Sequence, residues 1–299
     1  MRELSDVAKI HRSVLLDECI AFLNPQPGKV YMDGTMGLGG HSEGILEASS
    51  PDGCLIAFDW DGAAIDKSRE RLARFGKRLT IVRRNFSEIK EGLGDCTIER
   101  VDGILIDIGL SSLQLDIGGR GFSFQQDEPL DMRMDVRQSV TAASILANCK
   151  EQELADILYY YGEEKQARRI ASCVVEARKQ QPIETSKQLV DLVVKAVPKR
   201  FHPKRKHVAT LVFQALRIAV NTELENLAAI LDQAAAHLNP GSRFCVISFH
   251  SLEDRMVKRK FRENDKFKVL TKKPVMASEE EKEVNPRSRS ARLRVAERV

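Results

Sequence analysis

The stretch Tyr31-Met-Asp-Gly-Thr-Met-Gly-Leu-Gly-Gly-His41 constrains this chain more than any other. An apolar, strand-like lead-in from Lys29 to Met32 ends in the carboxylate of Asp33. Gly34, Gly37, Gly39 and Gly40 follow, and a polar, helix-compatible run begins at Ser42. Glycine reaches backbone angles that other residues avoid and has no Cβ to hold a ligand away. A simple turn does not call for so many glycines. A strand, a glycine loop and a helix in succession instead open a βαβ unit and offer a docking surface of nucleotide size.

The spacing decides against a dinucleotide. In the pattern G-x-G-x-x-G, a start at Gly37 puts the third glycine on Ser42, and a start at Gly34 puts the second on Met36. A pyrophosphate would also face the like charge of Asp33. A carboxylate there suits a ligand that carries positive charge, such as the ammonium or sulfonium of S-adenosylmethionine. Downstream, Gly53-Cys-Leu-Ile-Ala-Phe-Asp59 reads as a buried strand closed by an acid. Asp59 follows the loop by the roughly 20 residues expected of an acid that accepts hydrogen bonds from ribose hydroxyls. Asp61 is read as the N-cap of the next helix.

Strand-like runs fall at 29–33, 54–59, 80–83, 101–108 and 244–249, with helical patterns at 42–48, 63–75 and 86–93 between them. This alternation predicts a parallel sheet of Rossmann-like α/β type. The unbroken apolar centre Ile104-Leu-Ile106 suits a strand covered on both faces. From Leu113 to about Lys206 the pattern is helical only. Asn148-x-x-Glu151, Thr185-x-x-Gln188 and Thr222-x-x-Glu225 are read as capping boxes. Asn239-Pro-Gly241 is read as the stop before the fifth long strand, and the tail 285–295 as a last strand. The expected division is a discontinuous α/β domain, 1–114 with 208–299, interrupted by a helical substrate-recognition domain, 115–207.

In a doubly wound sheet the ligand crevice lies beyond the strand C-termini, which places Asp33, Asp59, Asp107 and Ser248 around it. Asp107 opens the segment Asp-Ile-Gly-Leu-Ser-Ser112, which is not the Asp/Asn-Pro-Pro-aromatic motif of many amine methyltransferases. His250 is a candidate base or substrate contact. Its neighbour Ser251, with Asp254 at N3, is a candidate helix cap. The loops 118–124 and 130–135 mix glycine, aromatics and charge, as ligand loops do and as ordinary surface loops also do. Lys199-Arg-Phe-His-Pro-Lys-Arg-Lys206 and the arginines at 287, 289, 292 and 294 are candidate nucleic-acid patches or plain solvated faces. The net charge of +4 permits nucleic-acid binding without requiring it. Six scattered cysteines with no C-x-x-C pair argue for reduced thiols in a cytoplasmic protein, and against zinc or disulfides. No apolar run approaches the roughly 20 residues that cross a membrane, and the first residues lack a signal-peptide core.

With these motifs in hand, the chain resembles the family of bacterial small-subunit ribosomal RNA cytosine-N4 methyltransferases known as RsmH or MraW. The resemblance rests on His11-Arg-Ser-Val-Leu-Leu-Asp-Glu18, the stretch from Asp33 to Ser42, Asp107-Ile-Gly-Leu-Ser-Ser-Leu-Gln-Leu-Asp116 and Arg120-Gly-Phe-Ser-Phe124. It continues through Pro129–Asp135, Tyr161-Gly-Glu-Glu164, Ser248-Phe-His-Ser-Leu-Glu-Asp-Arg255 and Asn285-Pro-Arg-Ser-Arg-Ser290. It implies a class I S-adenosylmethionine-dependent fold with an inserted all-helical domain. The implied reaction is methyl transfer to N4 of a cytidine in the decoding region of 16S rRNA, within the small subunit or a late assembly intermediate. By position, the implied cofactor contacts are Gly39, Gly40, His41, Asp59, Phe86, Asp107 and Gln114, beside Asp33 and Gly37 from the loop itself. Leu113 departs from the family, which usually has proline there. Asp107 and His250 are the catalytic candidates. The rival readings are a small-molecule methyltransferase and a non-catalytic RNA-binding protein with a vestigial pocket.

Overall fold

The computed structural model describes residues 13–109, 114, 119–204 and 206–299, which fall into two compact units. The first comprises positions 1–112 and 224–299, the second 113–223.

The first unit is built on one seven-stranded sheet. Its strands are β1 (Val30–Asp33), β2 (Cys54–Phe58), β3 (Leu79–Val82), β4 (Val101–Asp107), β5 (Leu238–Ser248), β6 (Phe267–Val269) and β7 (Arg292–Arg298), in the order β3-β2-β1-β4-β5-β7-β6. Strands β1 to β5 pair in parallel, whereas β7 runs antiparallel to both β5 and β6. The order reverses between β1 and β4, so the ligand crevice belongs at their C-terminal ends, where Asp33 and Asp107 stand.

The apolar runs are buried on both faces, as their lack of alternation predicts. Met32, Ile56, Phe58, Ile104, Ile106, Phe244 and Val246 pack on one side with Leu227, Leu231, Val257 and Phe261. Their neighbours Tyr31, Leu55, Ala57, Leu105, Cys245 and Ile247 pack on the other with Leu15, Cys19, Ile45 and Leu72. All six cysteines are free thiols, and burial pushes the Cys245 thiol up to about 12.

Several local readings change. Asn239-Pro-Gly241 lies inside β5: Leu238 pairs with Val101 and Arg243 with Gly103, so the turn residues bulge out of a continuing ladder. Asn148 ends the helix Ala142–Asn148 rather than capping the next one, and Glu153 instead accepts from the Lys150 N–H at 3.0 Å. The expected caps at Asp61 and Thr185 are present. The helix Leu16–Leu23 and the three-residue β6 have no sequence-based counterpart.

The second unit holds the helices Ala142–Asn148, Glu151–Tyr160, Ala167–Ala177, Ser186–Ala196 and Thr210–Asn221. The chain returns to the sheet unit at Leu224, where 208 was expected, because Thr210–Asn221 packs against the helices of the insertion. Its apolar face (Val212, Phe213, Leu216, Val220) has the same period whichever core receives it. The 130–135 segment is a brace. Leu130, Met132 and Met134 are buried, and Asn221 clamps the chain between them by donating to the Met132 carbonyl at 2.7 Å and accepting from the Met134 N–H at 2.8 Å. A Cβ on Gly162 would stand 2.6 Å from the Leu211 carbonyl oxygen and 2.7 Å from that of Leu158. Gly162→Ala is therefore expected to lower stability by about 1–3 kcal/mol, the usual cost of overpacking, read as an earlier denaturant midpoint. Among the described residues no helix is long and apolar enough to cross a membrane.

Candidate active site

The loop after β1 is fixed to its neighbours by its own backbone. The Gly34 N–H donates to the Leu105 carbonyl on β4 at 2.8 Å, and the Met36 N–H to the Phe58 carbonyl on β2 at 2.9 Å. Gly39 ends the loop with φ +81 and precedes the helix Gly40–Ala48. That left-handed angle strains any residue with a side chain. At Gly40 the constraint is space: a Cβ there would stand 1.9 Å from Ser13 Oγ.

Three carboxylates close three strands and organise this loop. Asp33 accepts from the Thr35 N–H at 3.0 Å and from the Ser42 hydroxyl at 2.7 Å, which ties the strand end to the helix start. Asp59 accepts from the Gly37 N–H at 2.8 Å and from the Asp61 N–H at 2.9 Å, so the acid after β2 holds the loop after β1. Asp107 is placed through its backbone, whose N–H donates to Thr35 Oγ1 at 2.7 Å. Its Oδ2 lies 3.8 Å from His41 Nδ1, while its Oδ1 is buried with no hydrogen-bond partner among the described residues. His41 is itself buried, with Nε2 2.9 Å from the Val14 carbonyl oxygen, to which it donates.

All three carboxyls are pushed up from 3.8 to about 6. Burial is the main cause in each case. At Asp33 the bonds from Ser42 and Thr35 oppose it. At Asp59 the Asp61 and Gly37 amides oppose it, while the charges of Asp61 and Asp33 add to it. At Asp107 His41 opposes it, while Asp33 and Glu253 add to it. A carboxyl raised on folding favours the folded state fully below about pH 4, and that contribution is lost as pH rises through about 6. At neutral pH the three ionised groups therefore weigh against the fold, and a cationic ligand between them would offset this.

Phe86 opens the turn after β3 and is partly buried, its Cβ 3.0 Å from where a Cβ on Gly34 would stand. Asp33, Gly37, Gly39, Gly40, His41, Asp59, Phe86 and Asp107 thus gather at the C-terminal ends of β1 to β4. Gln114 is buried and belongs to the second unit; its neighbours Leu113 and 115–118 lie outside the described residues.

His250 follows β5 and caps the helix Ser251–Glu263, one residue earlier than the Ser251 cap expected. Its Nδ1 accepts from the Glu253 N–H at 3.4 Å, and Glu253 Oε2 accepts from the Phe249 N–H at 2.8 Å. Asp254, expected in that box, instead takes two bonds from Arg294 at 2.6 and 3.1 Å. His250 Nε2 lies 2.9 Å from Glu253 Oε1, without the alignment of a hydrogen bond. The Phe249 ring packs on Gly109, where a Cβ would stand 3.1 Å from it. Sequence reasoning missed Thr35, Ser42, Phe249 and Glu253. Only Glu253 carried a signal, three residues after His250 in a capping-box pattern.

A glycine loop held by the acid of the next strand, in a sheet whose antiparallel β7 lies between β5 and β6, defines a class I methyltransferase-type α/β protein. The family model described as the MraW methylase family matches residues 8–299, and the chain belongs to that family. It is 66% identical over 294 residues to the ribosomal RNA small subunit methyltransferase H of Desulfotalea psychrophila, covering 98% of this chain and 100% of that one. Proteins of the same name from Geotalea daltonii and Clostridioides difficile are 50% and 46% identical, each over 97% of this chain and 98% and 99% of their own length.

Proposed function

We propose that this chain transfers the methyl group of S-adenosylmethionine to N4 of a cytidine in the decoding region of 16S rRNA. It would act in the cytoplasm on the small subunit or a late assembly intermediate, with the inserted unit, expected at 115–207, recognising the substrate. The observation that carries the reading is Asp107. It is a strand-end carboxylate beside the glycine loop, with one oxygen unpartnered among the described residues. The names and near-full-length identity of the relatives support the choice of an RNA acceptor.

The residues present fit the cofactor. Asp33, Gly37, Gly39, Gly40, His41, Asp59, Phe86 and Asp107 would hold it, and Gln114 is the further contact that the family resemblance implies. Each oxygen of Asp59 already accepts one backbone bond and keeps a second lone pair for a ribose hydroxyl. The surplus negative charge of Asp33, Asp59 and Asp107 suits an ammonium and a sulfonium, and the Phe86 ring offers a face for adenine. When bound, S-adenosylmethionine supplies a methyl group on a good leaving group.

The difficult partner is the amine, whose lone pair is delocalised into the cytosine ring. Asp107 Oδ1 accepts an N4–H hydrogen bond, which aligns the nitrogen and draws it toward tetrahedral geometry. Held near 6, this carboxyl is ionised at neutral pH yet more basic than an ordinary aspartate, so it can take the N4 proton as the C–N bond forms. His250 is the second candidate, as a contact to the base. The cytidine leaves its stack to reach the crevice.

The pH dependence follows with its sign. Lowering pH from 7.5 to 5 protonates three carboxyls that sit near 6, and so removes the charge that attracts the cofactor. Calorimetric titration is expected to show affinity for S-adenosylmethionine falling at least about 10-fold over that range, a loss of about 1.4 kcal/mol in binding free energy. To test the activity itself, labelled S-adenosylmethionine is offered with undermethylated small subunits and, separately, with free 16S rRNA. Label is expected on cytidine N4 in at least one; no N4 label in either sample would defeat the reading.

A further inference from the structure

The second unit carries a charge pattern that the chemistry of the strand ends leaves unused. No acidic residue lies between Asp191 and Glu223, whereas Lys199, Arg200, Lys204, Arg205 and Lys206 fall close together in the sequence. Lys199, Arg200, Lys204 and Lys206 are exposed and form no ion pair among the described residues. Between them Phe201 is 48% exposed, with the Arg200 guanidinium 4.8 Å from its ring centroid.

The two flanks of this stretch are held. Lys199–Phe201 forms a single turn after Pro198, and His202 Nε2 lies 3.0 Å from the carbonyl oxygen of buried Val197. At the other end the His207 ring packs on Phe124 with centroids 4.9 Å apart, and Phe124 packs edge-on against Phe213 at 5.0 Å. Two anchored histidines thus bracket a short turn that presents cations and one flat ring.

We propose that Lys199, Arg200, Phe201, Lys204 and Lys206 form the surface by which the second unit binds ribosomal RNA. Its cations neutralise phosphates of a single-stranded stretch, and Phe201 stacks an unpaired base on its open face. Cations with an interleaved aromatic match both requirements of single-strand binding, charge along the backbone and a stacking platform. A membrane surface would instead call for a continuous apolar helical face beside the cations, and this turn has none. The proposal rests on the rRNA reading above and assigns it a surface.

Two variants test it: one with Lys199, Arg200, Lys204 and Lys206 all changed to glutamine, and Phe201→Ala. Both alter exposed side chains, so the thermal midpoint is expected to hold. If the fourfold variant does not fold, the pairs Lys199/Arg200 and Lys204/Lys206 carry the same comparison. With undermethylated small subunits the charge variant is expected to raise KM about 10-fold or more at unchanged kcat. Its log affinity for free 16S rRNA should lose about 0.7 of salt slope per phosphate contact removed. Phe201→Ala should weaken rRNA binding about 5–30-fold and leave the salt slope as it was. Wild-type KM and salt slope in the charge variant, together with wild-type rRNA affinity in Phe201→Ala, from an enzyme that methylates, would overturn the surface and leave the activity standing. So would wild-type binding to anionic phospholipid vesicles that 16S rRNA does not displace. Failure of the wild type to methylate would count against the activity, while the rRNA-binding comparison would still read the surface.

Discussion

Asp107→Ala is expected to lower kcat about 10²- to 10³-fold, the usual loss when one preorganised group facing a reacting centre is removed. The position of the strand end should survive, because the bond to Thr35 Oγ1 comes from the backbone N–H of residue 107. Stability at pH 7.5 should hold or rise, since a partly buried carboxyl held near 6 is ionised there at a cost to the fold. Asp107→Asn separates the two roles of this residue. It keeps the shape and an acceptor oxygen but cannot take a proton, so turnover at saturating cofactor should fall while cofactor affinity changes less. Full turnover together with unchanged cofactor affinity in Asp107→Asn would refute the role of Asp107 as amine acceptor.

Asp59→Ala is expected to act on binding instead. The carboxylate is the acceptor for the Gly37 and Asp61 amides and the proposed acceptor for the ribose. Hydrogen bonds to a charged group are worth roughly 1.5–3 kcal/mol each. Losing the ribose bond and the hold on the loop together should raise the Kd for S-adenosylmethionine about 100-fold or more. Relief of a partly buried charge offsets only part of this loss of complementarity. At saturating cofactor kcat should stay within several-fold of wild type, because the role proposed for Asp59 is to hold the ribose and not the amine. A Kd within about 3-fold of wild type by calorimetry would remove Asp59 from the cofactor site.

The sheet was legible because its strands are runs buried on both faces, and such runs announce themselves without regard to partners. Ile104-Leu-Ile106 is an example: alternate residues enter opposite cores. The loop from Asp33 to His41 was legible for a similar reason, since glycine there answers a local need for backbone angle and space. What failed depended on tertiary choices. Ser251 and His250 both suit a cap, and only Glu253, buried and bonded to the Phe249 amide, decides for His250. The helix Thr210–Asn221 is amphipathic in either unit, and its docking onto the insertion is a long-range fact. Strand β6 is too short to show a period and exists because β7 pairs with it. Thr35 and Ser42 were invisible because a hydroxyl beside a glycine loop carries no pattern of its own.

The place of β7 in the sheet also bears on synthesis. Strand β7 is the last strand in the sequence, yet it sits between β5 and β6 and is the only strand that β6 pairs with among the described residues. Until β7 has been synthesised, β5 has an open edge and β6 has no partner among the described residues, a state that invites pairing with another chain. The Asp33–His41 loop and its three carboxylates have by then already emerged. A nascent chain would therefore hold a nearly complete cofactor cradle on an unfinished sheet, and Arg294 would clip onto Asp254 only once β7 has emerged.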